Sequence, residues 1–546
     1  MKTSIENRLG SVKTLSKLIE TNLEPLSLYE GITRQLKLVD SMLLESSEID
    51  SKEELKSIIM LQAALRIECN GRLVVIEASS SNGVNALNQL ATNLSLEEGI
   101  DTLSSEKNKL VVSISSNNGV IDEDERLKTT TPIEVLRKIQ NAFHSQTKDE
   151  FSTFLCGVFA FDFIATFENL PEVSQGTNSC PDYVFYLAET LLVIDHKRNI
   201  RRLYSNHFSG ENEESTYFEV ARRFELFEST INALAMNGNI SAKSNERGGQ
   251  INKLGLEINL DDSAYASVVE NLKRNIIAGD IFQVVPSRTF SLPCPTPIDS
   301  YRQLKKANPS PYMFYMKDRD FILFGASPES ALKYSHEDRG VLLYPIAGTR
   351  PRGKKTDGEI DLDLDARLEI ELKLDQKEVA EHMMLVDLAR NDISRISEPG
   401  TTHLPKLLSV DRYSQVMHLV SCVKGKLRSD LDALHAYQAC MNMGTLTGAP
   451  KIKATELIRV TEKNRRGSYG GAVGYLNGNG DMDTCIVIRS AFVKEGKAYI
   501  QAGAGVVYDS VPLSEAKETT NKAMAVINAI CAANEKSGSE IDRGTN

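Results

Sequence analysis

The chain has 546 residues, 41% of them hydrophobic and 25% charged, the mix of a soluble globular protein with room for more than one domain. A net charge of −11 excludes a broad basic surface for nucleic acid. No stretch approaches the roughly 18 apolar residues of a membrane span, and Met1 to Gly10 lacks the apolar core of a secretion signal. The eight cysteines are scattered and none forms C-x-x-C, so reduced thiols and a cytoplasmic setting are expected, without zinc or redox motifs.

In chain order, half of Leu36 to Leu44 alternates like a strand. Arg72 to Ala78 and Leu110 to Ile114 are β-branched runs that predict strands. Pro132 to Phe143 has the period of an amphipathic helix, with Thr131 as its expected cap. Phe154 to Phe163 and Tyr183 to Asp195 predict buried strands, and Thr216 to Met236 a helix. Residues 237–256 are polar, Gly-rich and aperiodic, which predicts a linker or exposed loop. This divides the chain into an amino-terminal domain (1–236), a second domain (257–530) and a polar tail (531–546).

Within the second domain, Asp262 to Ala278, Asp375 to Ile396, Asp432 to Met443 and Lys451 to Thr461 predict helices. Ile281 to Val285, Phe321 to Phe324 and Leu342 to Ile346 predict strands. Tyr469 to Leu476, Thr484 to Val493 and Ala498 to Val507 follow as strands joined by short turns, which favours antiparallel pairing. The expected fold class is α+β, with layered antiparallel sheets flanked by helices.

Several tempting motifs fail. Gly444-Thr-Leu-Thr-Gly-Ala-Pro-Lys451 has the wrong glycine spacing for a phosphate loop, and Ile452 replaces the hydroxyl that would hold Mg²⁺. Asp361 to Asp365 starts like a calcium loop but has Ala366 where glycine is required. No cysteine sits in G-x-C-x-G, so no glutaminase nucleophile is evident.

Five stretches carry polar groups in apolar frames. Gly503-Ala504-Gly505 ends a strand with little side chain to keep an anion from its amides, and on the next helix Glu515, Glu518 and Lys522 share one face. The same spacing also suits an exposed surface ion pair. Glu378 and Glu381 form a second i, i+3 pair. Carboxylates from two helices suit a hard cation such as Mg²⁺, with an anionic substrate completing its ligands. Glu329, after Gly325-Ala-Ser-Pro, suits a buried general acid or a helix N-terminal carboxylate. Gly348 and Thr349 end another strand and offer an amide and a hydroxyl to an anion. Arg489, beside Val487 and Ile488 on an expected buried strand, needs an anionic partner.

Together these stretches, with Leu43-Leu-Glu-Ser46 and the run from Gly157 to Glu168, resemble the chorismate-utilising enzymes, and among them the anthranilate synthase branch. The resemblance covers nearly the whole chain. It implies Glu381 and Glu518 as Mg²⁺ ligands, with Glu378 and Glu515 nearby. It implies Arg489, Tyr469, Gly503, Ala504, Gly505 and Lys522 as carboxylate contacts, and Gly348 and Thr349 as contacts beside the ring. Glu329 takes the place of the acid that protonates the departing C4 hydroxyl, and His418 that of the active-site histidine. Ser46, Pro311, Tyr312 and Met313 resemble a tryptophan inhibitor site.

Two positions distinguish branches of the family. Ala347 stands where 4-amino-4-deoxychorismate synthases carry lysine, and Gln283 where isochorismate synthases carry lysine. The resemblance therefore implies conversion of chorismate and ammonia to anthranilate and pyruvate, the entry to tryptophan synthesis. A separate glutamine amidotransferase subunit would supply the ammonia, in a hetero-oligomer of two large and two small subunits. The two lysine-bearing branches and a non-catalytic metabolite sensor are the alternatives.

Overall fold

The computed structural model describes residues 9–46, 55–95, 97–115, 122–145, 147, 149–236, 255–355, 358–413 and 416–541. Apart from residues 255 and 256, the expected linker lies outside the described residues. Among these residues, 23 strands join in one hydrogen-bonded network. Every pairing between its strands is antiparallel except Gly10–Leu18 with Phe143–Ser145. The α+β expectation holds. No described helix is long and apolar enough to cross a membrane.

The network is built around a long central pair, Lys56–Asn70 against Tyr183–Asp195. Both strands are buried along nearly their whole length, as their continuous apolar runs require. Two arms leave this pair. One passes through Ser41–Glu45 to Tyr312–Lys317, Ile322–Ser327, Ser490–Lys494, Lys497–Gly503 and Ser287–Pro293. The other passes through Leu155–Phe159 to Ala472–Leu476, Met482–Ile486, Ser330–Ser335, Gly340–Leu343 and Val416–Lys426. Strands from both sides of residues 237–256 thus share one network.

Two chain segments cross from one arm to the other. Ile322–Ser327 belongs to the first arm and Ser330–Ser335 to the second, so the chain changes arms at Pro328 and Glu329. Met482–Ile486 and Ser490–Lys494 repeat the move at Val487 to Arg489. The single strand expected over Thr484 to Val493 is therefore two strands. The break is enforced at Arg489, whose φ of 48° lies in the left-handed region and cannot continue a strand. The two crossings are bonded to each other, Ile486 N–H to Glu329 O (3.0 Å) and Ala326 N–H to Arg489 O (3.1 Å).

Other departures have local causes. The strand expected over Phe154 to Phe163 ends at Phe159, and Phe161–Thr166 is a 3₁₀ turn. Buried Asp162 accepts from Arg459 (2.8 Å) and from the Gly467 N–H (2.9 Å), drawing the backbone out of the sheet. Thr131 does not cap the next helix, because Pro132 occupies the cap position and the Thr131 hydroxyl is buried without a partner.

The helices close the arms. Gln376–Ile396 buries Leu385, Val386, Ala389, Ile393 and Ile396 along one stripe, and Asp375 caps it by accepting from Lys377 and Glu378 N–H. The last helix, Pro512–Ile541, buries Ala516, Ala523, Val526, Ile527 and Ile530. Each buried Val or Ile contributes about 1.5–3 kcal/mol. Cys531 and Ala533 are also buried, so the stretch expected as a tail begins inside this helix.

Where the first arm meets the central pair, Arg66 donates to both oxygens of Asp318 (2.8 and 2.9 Å), and the Asp318 side chain is fully buried. Removing Asp318 takes the bidentate partner from a buried guanidinium, which keeps only the more exposed Glu68 (2.6 Å) and Asp320 (3.1 Å). We expect Asp318→Ala to cost about 3–5 kcal/mol, read as a lowered thermal midpoint. The double variant Arg66→Met, Asp318→Ala should recover part of that loss.

Candidate active site

A cleft of about 650 Å³ opens between the two crossings, the Gln376–Ile396 helix and the start of the last helix. Most of the residues expected in the active site line it. These are Glu329, His418, Gly348, Thr349, Tyr469, Arg489, Gly503, Gly505, Lys522, Glu381 and Glu518. Glu378, Glu515, Ala347 and Gln283 line it too.

The crossings supply an acid and a cation. Glu329 is buried, and its carboxylate accepts one hydrogen bond, from Thr445 Oγ1 (2.9 Å). Burial pushes its pKa up to about 8, while Thr445, Lys522 and Arg489 pull the other way. It is therefore largely protonated at neutral pH. Arg489 is half-buried, and among the described residues its guanidinium has neither a hydrogen bond nor an ion pair. Among the described residues no protein carboxylate supplies the anionic partner that the sequence calls for. A cation held in a strained backbone conformation beside the cleft is suited to an incoming carboxylate.

The second arm supplies a base. Thr349 lies opposite His418 in the Ile346–Pro351 and Val416–Lys426 pairing, which bulges between Ala347 and Thr349. The bulge leaves Gly348 at a φ of 78°, where a Cβ would come within 3.1 Å of Glu378 Oε2 and of Leu372. Its carbonyl turns to His418 Nδ1 (3.4 Å), and Thr349 Oγ1 is 2.9 Å from the same nitrogen. A carbonyl only accepts, so the proton belongs on Nδ1 and the lone pair on Nε2. Nε2 is buried with no partner among the described residues. Burial and the Arg489 charge hold the His418 pKa down, near 4, so the ring is neutral.

The two helices supply carboxylates. Burial, then repulsion from Glu378, Glu515 and Glu518, pushes the Glu381 pKa up against the pull of Lys377. Burial likewise raises Glu515, with Glu518 adding to it. This mutual repulsion links helices more than 100 residues apart. Lysines offset part of it: Lys377 Nζ is 3.7 Å from Glu381, and Lys522 Nζ is 2.7 Å from Glu518 and 3.1 Å from Gly503 O. Glu378 is instead held by Arg350 (3.2 Å). Among the described residues, no three His, Cys, Asp or Glu side chains form a ready metal cage. The four glutamates fit a divalent cation whose remaining ligands come from a bound anion.

One expected contact is corrected. Ala504 is fully buried, does not line the cleft, and gives its N–H to Pro286 O and Tyr265 Oη (3.3 Å each). The Gly503 N–H faces the Tyr469 hydroxyl. Among the three amides, that of Gly505 is the one without a protein partner among the described residues. Thr445 and Lys377 are among the cleft residues that escaped sequence reasoning. Thr445 belongs to the rejected phosphate-loop segment, and no local pattern marks it. Lys377 was detectable by its i, i+4 spacing to Glu381.

The residues expected to bind tryptophan lie elsewhere. Ser46, Tyr312 and Met313 line a second cavity of about 900 Å³, together with Lys56, Glu150 and Asp483. Pro311 is next to Tyr312 but does not line it.

Comparison with known proteins agrees with this geometry. A family model described as chorismate binding enzyme matches residues 97–528. Anthranilate synthase component 1 of Vibrio cholerae is 53% identical over 91% of this chain and 92% of its own length. The Escherichia coli protein of that name is 51% identical over 90% and 92%. A crystal structure of anthranilate synthase component I from Streptococcus pneumoniae superposes with a TM-score of 0.62 at 29% identity, covering 88% of this chain and 94% of its own. The menaquinone-specific isochorismate synthase of Escherichia coli, at 17% identity and a TM-score of 0.63 over 97% of this chain and 98% of its own, shares the fold. The chain belongs to the chorismate binding enzyme family.

Proposed function

We propose that this chain is the large subunit of an anthranilate synthase, converting chorismate and ammonia to anthranilate, pyruvate and water. The observation that carries this reading is the convergence of a protonated Glu329 and of Arg489, which has no partner among the described residues, on a cleft walled by four glutamates. The name shared by relatives about half identical in sequence favours the same branch. So does the cleft wall itself, where Ala347 and Gln283 bring no lysine as nucleophile or water-activating base.

The residues divide the chemistry. Arg489 and the Gly505 amide hold carboxylate charge on the substrate. Glu329 gives its proton to the C4 hydroxyl, which leaves as water while ammonia adds at C2. His418 Nε2 is the neutral base available for the later proton transfer. Loss of the C2 proton and of the enolpyruvyl group as pyruvate makes the ring aromatic. Positioning and charge stabilisation do most of this work. Glu381 and Glu518, with Glu378 and Glu515 beside them, would hold Mg²⁺. When bound, the ion neutralises the ring carboxylate that must sit among these glutamates.

Ammonia implies a partner, because no glutaminase nucleophile is evident and all eight cysteines are buried. We assign that role to a glutamine amidotransferase subunit, in an assembly of two large and two small chains working in the cytoplasm. The larger cavity is assigned to tryptophan as a feedback inhibitor. Lys56 suits its carboxylate, Glu150 and Asp483 its ammonium, and Tyr312 and Met313 its ring.

Pyruvate release from chorismate and an ammonium salt, with the product identified by mass, tests the reaction. Isochorismate or 4-amino-4-deoxychorismate as product would overturn it. The rate constant should fall as pH rises through about 8, because the proton on Glu329 is present below that value and lost above it. Glu329→Gln should lower kcat by about 10²–10⁴-fold. Chelation should abolish turnover, and Glu381→Gln should raise the Mg²⁺ concentration needed to restore it. Tryptophan should weaken chorismate binding in the unmodified protein, and Tyr312→Ala should remove that effect while leaving turnover intact.

A further inference from the structure

Arg288 is a fully buried cation that the proposed chemistry does not use. It stands opposite Ala502 where Ser287–Pro293 pairs with Lys497–Gly503. Burying a guanidinium is costly unless its N–H groups find acceptors. Asp262, its ion-pair partner at 2.7 Å, is 65% exposed, and water weakens that pair. The remaining bonds go to main chain and hydroxyls. Nη1 donates to Leu260 O (2.9 Å) and Nε to Thr519 Oγ1 (2.7 Å). Nη2 donates to Ala516 O (2.7 Å) and Thr520 Oγ1 (2.9 Å). The rings of Tyr265 and Phe290 each lie 5.3 Å from the guanidinium carbon, within cation–π range.

Ala516, Thr519 and Thr520 are the i, i+3 and i+4 positions of one face of the last helix. Glu515, Glu518 and Lys522, which line the cleft, occupy the adjoining face, one residue or about 100° around the axis. The apolar residues packed under these turns are Ala516 and Ala523, both fully buried. Their methyl groups interlock poorly with a neighbour, so packing alone would fix the rotation of the helix weakly. Three bonds from one rigid fork fix it firmly, and with it the direction of the carboxylates. The same cluster reaches the glycine run. Tyr265 Oη donates to Pro286 O (2.8 Å) and accepts the Ala504 N–H (3.3 Å), while Lys522 Nζ returns from the helix to Gly503 O (3.1 Å). Helix, strand and glycine run are thus fastened around one buried cation.

We propose that Arg288 is a positioning residue for the divalent cation, setting the rotation of the last helix so that Glu518, with Glu515 beside it, turns toward Glu381 across the cleft. The inference rests on the reading of these glutamates as the Mg²⁺ site. Arg288 meets neither cation nor substrate. It acts through the helix, as groups behind a metal ligand do when they fix the ligand's orientation. Lysine is not equivalent here. Its ammonium is a point charge on a flexible stem and cannot present one planar fork to Leu260, Ala516 and Thr519 together. The role of Arg288 is therefore one of geometry rather than of charge.

Two readouts on the full chain test this. Mn²⁺ binding is followed by electron paramagnetic resonance in the presence of anthranilate, and the Mg²⁺ concentration for half-maximal pyruvate release is measured from chorismate and ammonium. Arg288→Met and Arg288→Lys should each weaken Mn²⁺ binding about 10–100-fold and raise the Mg²⁺ requirement in step. At saturating Mg²⁺, kcat should fall by much less. Thr519→Val removes the acceptor of Nε and keeps the packing, so its effect should run the same way and be smaller. Asp318→Ala, which loosens the fold away from the cleft, should leave Mn²⁺ binding unchanged. The proposal is overturned if Thr519→Val and the Arg288 variants, folded by their thermal midpoints, bind Mn²⁺ as the unmodified chain does. Where Arg288→Met does not fold, Thr519→Val and Arg288→Lys decide. It is overturned too if Arg288→Lys behaves as the unmodified chain, or if Asp318→Ala weakens Mn²⁺ binding as much as Arg288→Met. Should the unmodified chain bind no Mn²⁺, the reading of the glutamates as a cation site fails, and the role given to Arg288 fails with it.

Discussion

The site depends on two backbone hydrogen bonds, Ile486 N–H to Glu329 O and Ala326 N–H to Arg489 O. They fasten together the two places where the chain leaves one arm of the sheet for the other. A strand that changes sheets must bend, and a bend frees side chains from the alternation that would otherwise send them into the core or out to solvent. Here the bends aim Glu329 and Arg489 into the same cleft. The backbone cost is visible at Arg489, a non-glycine residue at a φ of 48°. Such a conformation costs about 1–3 kcal/mol and persists because strands on either side fix it.

Around that fixed pair, the cleft distributes charge unevenly. Glu329 is neutral, His418 on the neighbouring wall is neutral, and Arg489 is a cation with no partner among the described residues. The opposite wall carries four glutamates tempered by Lys377 and Lys522. A neutral acid, a neutral base and an open cation suit a substrate that brings its own negative charge and leaves after proton transfer. Burial sets both neutral states, in opposite directions on the pKa scale, so the folding that buries these groups also prepares their chemistry.

Much of this was legible in the sequence. Of the central pair, Tyr183–Asp195 was bounded as expected, because a strand buried on both faces has no alternation to blur, whereas its partner Lys56–Asn70 was not among the expected strands. The Glu378, Glu381 and Glu515, Glu518 pairs were legible from helical spacing alone. What lay hidden was the crossings. Thr484 to Val493 reads as one strand because Val487 and Ile488 keep it apolar, and a positive φ at an arginine leaves no compositional trace. Ala504 misled for the converse reason. A Gly-Ala-Gly run suggests open amides, whereas pairing with Pro286 and Tyr265 takes the middle one. Thr445 was invisible because only the tertiary fold brings its loop to Glu329.

The separation between the two large cavities is bridged by few residues. Tyr312, on the wall of the larger one, pairs with Ser327, whose hydroxyl contacts the Glu329 backbone. Cys485, on the same wall, pairs with Ser330 on the other side of Glu329. Tyr312 also donates to Asp483 (3.1 Å), which ties the Tyr312–Lys317 strand of the first arm to the Met482–Ile486 strand of the second. A ligand seated there touches the strands that carry the acid and the cation without touching either one. Coupling between the cavities needs no long wire through the core. It needs two arrangements of these crossings and a ligand that binds them unequally, because a ligand with equal affinity for both shifts nothing. The crossings are suited to that role, since their geometry is held by strand pairing on both sides and by two hydrogen bonds between them.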